Sequence, residues 1–355
     1  MDAGLKRELE DKVSAGERLT RADGEALYAS DDLVWLGRLA HQKRTERNGD
    51  RVMFNVNRHL GLEEAVATAS ELRDEQLTEL HIAGGLHPTQ PWEYYPRVLR
   101  ELKAALPDVA LKAFAATEIH WFEGISGLPA EEILDELIDA GLESLTGGGA
   151  EIFDSEHAAH WDDWSRIHRL AHAKGMKTPS TMLYGHAEEP RHRVDHVLRL
   201  RELQDETGGF QVFSPLRYRH DFVDPADGTG RDRPQVSTPM AEPAESLKTF
   251  AISRLLFDNV PHVKSWWVAH GLSVTQLSLN FGADDLDGSA VEYEITHDAD
   301  GHGAPHPMHR EDLLNLIWDG GFQPVERNTR YEVVREYEPP VPLAQRRAEP
   351  QRVWA

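Results

Sequence analysis

The chain of 355 residues contains no cysteine. Disulfides, thiolate nucleophiles and zinc–thiolate centres all need cysteine sulfur, so the sequence excludes each of them. Iron–sulfur ligation by cysteine is excluded for the same reason. A metal site in this chain would have to use histidine and carboxylate ligands.

Positive charge is also scarce, because 38 lysines and arginines stand against 61 acidic residues and give a formal net charge of −23. Such a surface repels nucleic acids and anionic membranes, so we predict neither as a partner. No hydrophobic run is long enough to span a bilayer, and the N-terminus MDAGLKRELED does not resemble a signal peptide. We therefore expect a cytoplasmic protein with a small-molecule ligand; the sequence does not determine the oligomeric state.

The stretch TELHIAGGLHP (78–88) shows the pattern on which the fold prediction rests. An apolar strand ends at Gly84-Gly85, where the lack of a Cβ lets the backbone approach a ligand closely, and His87 follows in the loop. A helix then begins near Trp92. Apolar strand, polar or glycine-rich exit and amphipathic helix recur about eight times.

Alternating strands and helices favour parallel pairing with right-handed crossovers, and eight units favour a closed (β/α)8 TIM-type barrel over an open sheet. No G-x-G-x-x-G follows the first strand, which weakens a dinucleotide-binding alternative. We predict an N-terminal helical layer (1–50), a barrel (51–338) and a disordered tail (339–355). The predicted strands are 51–59, 78–85, 109–117, 141–149, 177–185, 209–216, 263–271 and 290–298.

Barrel chemistry lies in the loops that follow the strands, and several of the 19 histidines fall there. Converging histidines could bind a metal or transfer protons, but no H-x-H or H-E-x-x-H spacing occurs, so we predict no metal site. Gly147-Gly148-Gly149 could hold an anionic or ribose-bearing ligand on backbone N–H groups, or simply form a tight turn. Glu118 could accept hydrogen bonds from sugar hydroxyls, or be an ordinary loop charge.

Eight stretches, in order along nearly the whole chain, resemble the radical S-adenosylmethionine enzymes of menaquinone biosynthesis by the futalosine route, and among them the aminofutalosine (aminodeoxyfutalosine) synthase branch. They are GDRVMFNVNRH (49–59), TELHIAGGLHP (78–88), LKAFAATEI (111–119), GGGAEIFD (147–154), TMLYGH (181–186), RLRELQDETGGFQ (199–211), DNVPHVKSWWV (258–268) and NFGADDLDGSAVEYEITH (280–297). The dehypoxanthine futalosine cyclase and the deazaflavin-cofactor synthase subunit share much of this pattern.

The resemblance implies a barrel with S-adenosylmethionine and a four-iron four-sulfur cluster at its mouth, and addition of an adenosyl radical to an enolpyruvyl-benzoate. It implies cofactor contacts at Gly84, Gly85, His87 and Glu118. It further implies that Asn55, Asn57, Arg58, Tyr184, His186, Gln211 and Arg217 line the substrate side. It assigns no catalytic residue.

One family feature is missing from this sequence. In the family, the first strand leads into a C-x-x-x-C-x-x-C loop that holds the cluster, whereas here only Leu60 and Gly61 separate the predicted strand from the helix at Leu62. Without that cluster no adenosyl radical forms, so we do not expect radical chemistry from this chain alone. The alternatives are a non-catalytic S-adenosylmethionine or nucleoside-binding relative, and a barrel hydrolase or lyase with a histidine-bound metal.

Overall fold

The computed structural model describes residues 1–82, 89–148, 152, 158–186, 188–218, 241–288, 294–295 and 306–350. The helices are α1 (Ala3–Ala15), α2 (Arg21–Tyr28), α3 (Leu33–Asn48), α4 (Leu62–Leu72), α5 (Tyr94–Ala105), α6 (Ala116–Ser126), α7 (Ala130–Asp139), α8 (Ala158–Ala173), α9 (Pro190–Thr207), α10 (Pro243–Leu256), α11 (Trp267–His270), α12 (Leu272–Ser278), α13 (Arg310–Asp319) and α14 (Leu343–Ala348). No helix in this part of the chain is long and apolar enough to cross a membrane.

The strands are β1 (Arg51–Phe54), β2 (Asn57–Leu60), β3 (Glu79–Ile82), β4 (Ala110–Ala113), β5 (Leu142–Ser144), β6 (Thr178–Tyr184), β7 (Phe210–Arg217), β8 (His262–Ser265), β9 (Asp285–Leu286), β10 (Glu294–Ile295), β11 (His306–Pro307), β12 (Gln323–Arg327) and β13 (Val333–Glu336). The β1–β2 run and β3 to β9 give the eight parallel strands of a barrel, in the order of the sequence. The predicted barrel is confirmed.

The first barrel strand changes partners half-way along its length. Its first half, β1, pairs with β9 and β12, whereas its second half, β2, pairs with β3. Asn55 and Val56 interrupt the strand at this point, and the Val56 carbonyl accepts the Thr78 N–H that precedes β3 (2.8 Å). Between β5 and β6 side chains bridge the two strands, because Ser144 Oγ donates to the Lys177 carbonyl (2.8 Å) and Thr181 Oγ1 to the Gly147 carbonyl (2.5 Å).

The eighth barrel strand is Asp285–Leu286, so the prediction of 290–298 is wrong. Within the predicted range, Glu294–Ile295 pairs antiparallel with His306–Pro307, apart from the barrel. The true strand lies in the sequence ADDLDG, which has one large apolar side chain and three aspartates. All three aspartates are buried and paired with charged side chains, and they replace the usual apolar pattern of a central strand.

Two other predicted strands end earlier than expected because a helix follows at once. β4 stops at Ala113, and α6 begins at Ala116, where the Glu118 carboxylate accepts the Ala115 N–H (2.6 Å). β8 stops at Ser265, and the turn of helix α11 takes up the rest of the predicted 263–271 strand.

The N-terminal helices α2 and α3 pack against the outer helices of the barrel. A Cβ placed on Gly24 of α2 would lie 3.0 Å from side-chain atoms of Val194 in α9 and Leu256 in α10. Arg44 of α3, fully buried, donates to the Ala283 carbonyl just before β9 (3.3 Å). At the other terminus, where the sequence predicted disorder, α14 is fixed by a hydrogen bond from Arg347 to the Gly321 carbonyl (2.9 Å).

A buried network closes the end of the barrel at which the strands begin. Arg327, at the end of β12, pairs with Asp285 of β9 (2.9 Å) and with Glu79 of β3 (3.3 Å). Tyr331 donates its hydroxyl to the same Asp285 carboxylate (2.6 Å), and Thr329 donates to Glu79 (2.7 Å). This segment therefore forms the floor beneath the barrel interior.

Candidate active site

A cavity of about 330 Å³ opens at the carboxyl ends of the barrel strands. We call it the mouth pocket. It is lined by His59, His81, Ile82, Lys112, Ala115, Glu118, Thr146, Gly147, Gly148, Pro179, Thr181, Val212, Ser214, Leu216, Lys264, Trp266 and Asp287. Ligands of parallel α/β barrels bind at this end, so the mouth pocket is the candidate active site.

Ionisable side chains project from the strands into the lower part of the mouth pocket. Lys112 on β4 and Lys264 on β8 are almost fully buried, and the Lys264 ammonium lies 3.4 Å from Asp287 Oδ1. Burial lowers the pKa of Lys112 to about 8 against the favourable charge of Glu79, and the nearby charge of Lys264 lowers it further. The lining of the pocket therefore contains two buried ammonium groups.

The buried carboxylates beside these lysines stay ionised. Burial alone would raise the pKa of Glu79, but Lys112, His81 and Arg327 hold it well below its ordinary value. The pKa of Asp287 is also lowered, because the charges of Lys264 and of the two nearby histidines outweigh the effect of its burial. The interior of the barrel is thus a network of paired charges.

Two histidines and a tryptophan form one side of the mouth pocket. The rings of His59 and His81 lie 4.5 Å apart, and the ring of His59 stacks on Trp266 at 5.9 Å. His59 Nε2 lies 3.1 Å from the Asn57 amide nitrogen. Trp266 therefore lines the pocket with its ring packed against His59.

Some of the predicted site residues lie in or directly beneath the mouth pocket. Glu118 lines it, and Gly147 and Gly148 form part of its rim. Asn57 lies beneath it, because its amide contacts His59 and donates to Asp287 Oδ1 (3.4 Å). Asn55 is fully buried at the same level, where its side chain donates to Glu79 and accepts the Gly288 N–H (2.8 Å).

Three more predicted residues lie at the ends of β6 and β7, outside the lining of the mouth pocket. Tyr184 is fully buried with its ring stacked on His270 (6.2 Å). His186 contacts the Leu183 carbonyl through Nε2 (3.2 Å). Arg217 donates to the Ala269 carbonyl (3.2 Å).

The structure places the remaining predicted residues elsewhere. The Arg58 guanidinium pairs with Glu75 (2.5 Å) in the turn that follows α4, and Gln211, near the start of β7, donates to the Thr329 carbonyl in the floor (2.8 Å). Gly84, Gly85 and His87 lie outside the described residues.

Sequence reasoning missed His81, Lys112, Lys264 and Asp287, although all four line the mouth pocket. The signal for the two lysines was present, because each interrupts a short apolar strand, in VALKAF and in HVKSWW. A charged side chain within a buried strand must find a partner, and in a closed barrel the interior supplies one. The sequence prediction considered the loops that follow the strands and so did not include these residues.

The cluster implied by the resemblance does not fit the residues of this chain. The sequence has no cysteine, and Gly61 is the single residue between the end of β2 at Leu60 and the start of α4 at Leu62. This junction offers no side-chain ligand for iron. We therefore derive no chemical step through such a cluster.

Comparisons with known proteins place the chain in a family. A family model described as the CofH/MqnC C-terminal region matches residues 208–339. The chain is 66% identical to the aminodeoxyfutalosine synthase of Streptomyces coelicolor over 387 positions, covering 99% of the chain and 100% of the relative. Because the chain has only 355 residues, the relative carries roughly thirty residues that have no counterpart here.

A second relative agrees with this placement, and a solved structure shares the fold. The chain is 36% identical to the aminodeoxyfutalosine synthase of Thermus thermophilus, over 92% of the chain and 95% of the relative. Its fold matches the crystal structure of methylornithine synthase with a TM-score of 0.64 at 15% identity, over 89% of the chain and 97% of that protein. The chain therefore belongs to the aminodeoxyfutalosine synthase family.

Proposed function

We propose that the mouth pocket is the ligand site of an aminodeoxyfutalosine synthase of the futalosine route to menaquinone, and that it binds S-adenosylmethionine and an enolpyruvyl-benzoate-type substrate. The observation that carries this proposal is that one pocket at the carboxyl end of the barrel combines Lys112, Lys264 and Trp266. The 66% identity to a family member supports the same assignment.

The two lysines suit the substrate side of the proposal. An enolpyruvyl-benzoate carries carboxylate groups and an aromatic ring. Buried ammonium groups attract carboxylates strongly because little water screens them, and an indole face packs well on a planar ring. Lys112, Lys264 and Trp266 would therefore bind and orient the acid. Asn55 and Asn57 would support the pocket from beneath, whereas Tyr184, His186 and Arg217 would act from the ends of β6 and β7, outside its lining.

Glu118 and the glycines at the rim suit the nucleoside side. One Glu118 carboxylate oxygen accepts the Ala115 N–H, which fixes the side chain at the edge of the pocket. A carboxylate held there would accept hydrogen bonds from ribose hydroxyls. Gly84, Gly85 and His87 would contribute from the loop after β3, as the sequence resemblance implies.

The proposal is limited to binding and positioning by this chain. S-adenosylmethionine in this family works with an iron–sulfur cluster, and the chain has no residues that fit one. We therefore do not propose that the polypeptide forms a radical by itself.

Calorimetric titration of the full chain tests the proposal. We expect saturable binding of S-adenosylmethionine and of the enolpyruvyl-benzoate, each at one site. Glu118→Gln keeps an acceptor for the Ala115 N–H but removes the charge, and should weaken S-adenosylmethionine roughly tenfold or more. Lys112→Met should instead weaken the benzoate and leave S-adenosylmethionine unchanged.

The control is Glu131→Gln, which removes a carboxylate that is 67% exposed on α7. It should change neither affinity. Absence of binding for both ligands to the wild-type chain would refute the proposal, as would equal effects of Glu118→Gln and Glu131→Gln.

A further inference from the structure

We propose that His59, His81 and Asp287 form a binding site for a divalent transition-metal ion such as Zn²⁺ on the wall of the mouth pocket. Each residue offers one ligand atom, and the three atoms lie within 4.8 Å of one another. Two imidazoles and one carboxylate are a ligand set that first-row divalent ions accept. This site uses residues other than the cluster-binding loop, and it is independent of the proposed function.

The surroundings of His81 match those of a metal-binding histidine. Its Nε2 lies 3.0 Å from Glu79 Oε1, in the buried layer beneath the pocket. Glu79 is itself fixed by Thr329 and Arg327. A carboxylate beside a ring nitrogen is typical of metal-binding histidines. The contact lacks hydrogen-bond geometry, so Glu79 acts on the ring through its charge, and His81 offers one of its two ring nitrogens to the metal.

The two carboxylate oxygens of Asp287 differ in their hydrogen bonds to the protein. Its Oδ1 accepts from the Gly288 N–H (3.2 Å), the Asn57 amide (3.4 Å) and the Lys264 ammonium (3.4 Å). Among the residues that the structure describes, none donates a hydrogen bond to Oδ2. Since the residue lines the pocket, Oδ2 is the oxygen that a metal would take.

The ring of His59 is held between two other rings, those of His81 and Trp266. Such packing limits its rotation, which reduces the entropy lost when a metal binds. Three protein ligands on the wall of an open cavity leave at least one coordination position for water or a small ligand. Catalytic metal sites keep such an open position, whereas structural sites fill it with protein.

The Lys264 ammonium is the cation that a metal would have to displace from Asp287. It lies 3.4 Å from Asp287 and 3.8 Å from Asp285, so it has a second carboxylate toward which it can move. We therefore expect Lys264→Met to strengthen metal binding, because the competing charge is removed. A pocket that used its lysines only to hold an anion would bind no metal, either in the wild type or in Lys264→Met.

Titration of the full chain with Co²⁺, followed by visible absorption, tests the site, and competition with Zn²⁺ tests its selectivity. We expect one Co²⁺ per chain, with absorption bands of histidine-ligated cobalt that Zn²⁺ abolishes. Asp287→Asn and His59→Ala should each weaken binding about tenfold or more, and Lys264→Met should strengthen it. Circular dichroism and thermal melting establish that each variant is folded.

His120→Ala is the matched control, because His120 lies on the outer surface beside Glu123 (3.0 Å) and Asp163 (3.8 Å) and could itself hold a loosely bound ion. Its removal should leave the cobalt spectrum and stoichiometry unchanged. The inference is overturned if Co²⁺ does not saturate one site, if folded Asp287→Asn and His59→Ala bind it as tightly as the wild type, or if His120→Ala abolishes the signal.

Discussion

Several histidines are buried as neutral rings, and their hydrogen bonds show why. His270 donates from Nε2 to the Pro215 carbonyl (2.9 Å), while its Nδ1 is buried with no hydrogen-bond partner among the described residues. Burial lowers the pKa of His270 to about 4, and the nearby charge of Arg217 also lowers it. His196, which donates to the Thr181 carbonyl (2.8 Å), has a pKa lowered by burial to about 4 as well. These residues serve stability rather than proton transfer.

This arrangement predicts a loss of stability in mildly acidic solution. Below pH 6.5 the unfolded chain binds protons at these histidines, whereas the folded protein does not until about pH 4. The free energy of unfolding should therefore fall as pH decreases through this window, by up to about 1.4 kcal/mol per pH unit for each histidine. Urea unfolding at about pH 7, 6 and 5 would measure how the free energy of unfolding changes with pH.

His270→Gln provides the test of assignment, because glutamine retains an N–H donor for the Pro215 carbonyl but does not titrate. The variant should show a shallower dependence on pH than the wild type. His120→Gln, at an exposed position, should keep the full slope. Equal slopes for wild type and His270→Gln would show that this ring is not part of the effect.

At the scale of elements, the segment from β12 to Tyr331 is joined to the barrel strands by buried ion pairs, which form the floor of the barrel. Arg327 is 1% exposed and is shared by Asp285 and Glu79, whose side chains are fully buried. Its guanidinium also lies over the Tyr331 ring at 4.2 Å. Removing one partner of a buried ion pair leaves an uncompensated charge in a medium that solvates it poorly.

Arg327→Met should therefore lower the free energy of unfolding by about 3–5 kcal/mol at neutral pH, measured by urea denaturation. Arg330→Met, three residues later in the same loop, is the control. Its side chain is 69% exposed and lies 3.8 Å from Glu143, so its loss should cost less than about 1 kcal/mol. If both variants are equally stable, the floor does not depend on the buried pair.

The element pattern was predictable where apolar periodicity was strong. Helices α4 and α5 begin close to the predicted positions, and strands β6 and β7 follow the sequence prediction closely. β9 was not predictable in this way, because Asp285 stands where a central strand usually has an apolar residue. Its carboxylate accepts hydrogen bonds from Arg327 and Tyr331, which lie in a distant part of the sequence. A strand stabilised by tertiary charge pairing carries no local signal.

The candidate site shows the same limit. The position of the pocket followed from the barrel, since parallel strands bring their carboxyl ends to one edge. Gln211 lies instead near the start of β7, where its amide donates to the Thr329 carbonyl in the floor. The motif that contains Gln211 therefore did not indicate where along the barrel its side chain lies. Which neighbouring residue faces inward depends on register and bulges, such as the irregularity between Thr178 and Pro179 on the paired β6.

For the molecule as a whole, the chain is an intact barrel with a family-specific segment missing. The Streptomyces relative carries roughly thirty residues more than this chain, in which β2 and α4 are joined directly through Gly61 and the eight barrel strands are kept. A loop at a strand exit can be removed at modest cost when the strand and helix it connects remain packed. Fold and ligand pocket can therefore survive where a cofactor loop does not.

Insertion of a family-type C-x-x-x-C-x-x-C loop in place of Gly61 tests whether the fold and the pocket are kept without the cofactor loop. If the pocket is otherwise complete, the extended chain should take up iron and sulfide on anaerobic reconstitution and, with dithionite added to reduce the cluster, convert S-adenosylmethionine and the enolpyruvyl-benzoate to product. The same loop with three serines should bind no iron and form no product, because serine offers no thiolate. Iron uptake without turnover would show that the pocket residues have also diverged, since cluster assembly depends on the new loop whereas turnover also requires a pocket that positions both ligands, as we propose for Lys112, Lys264 and Glu118.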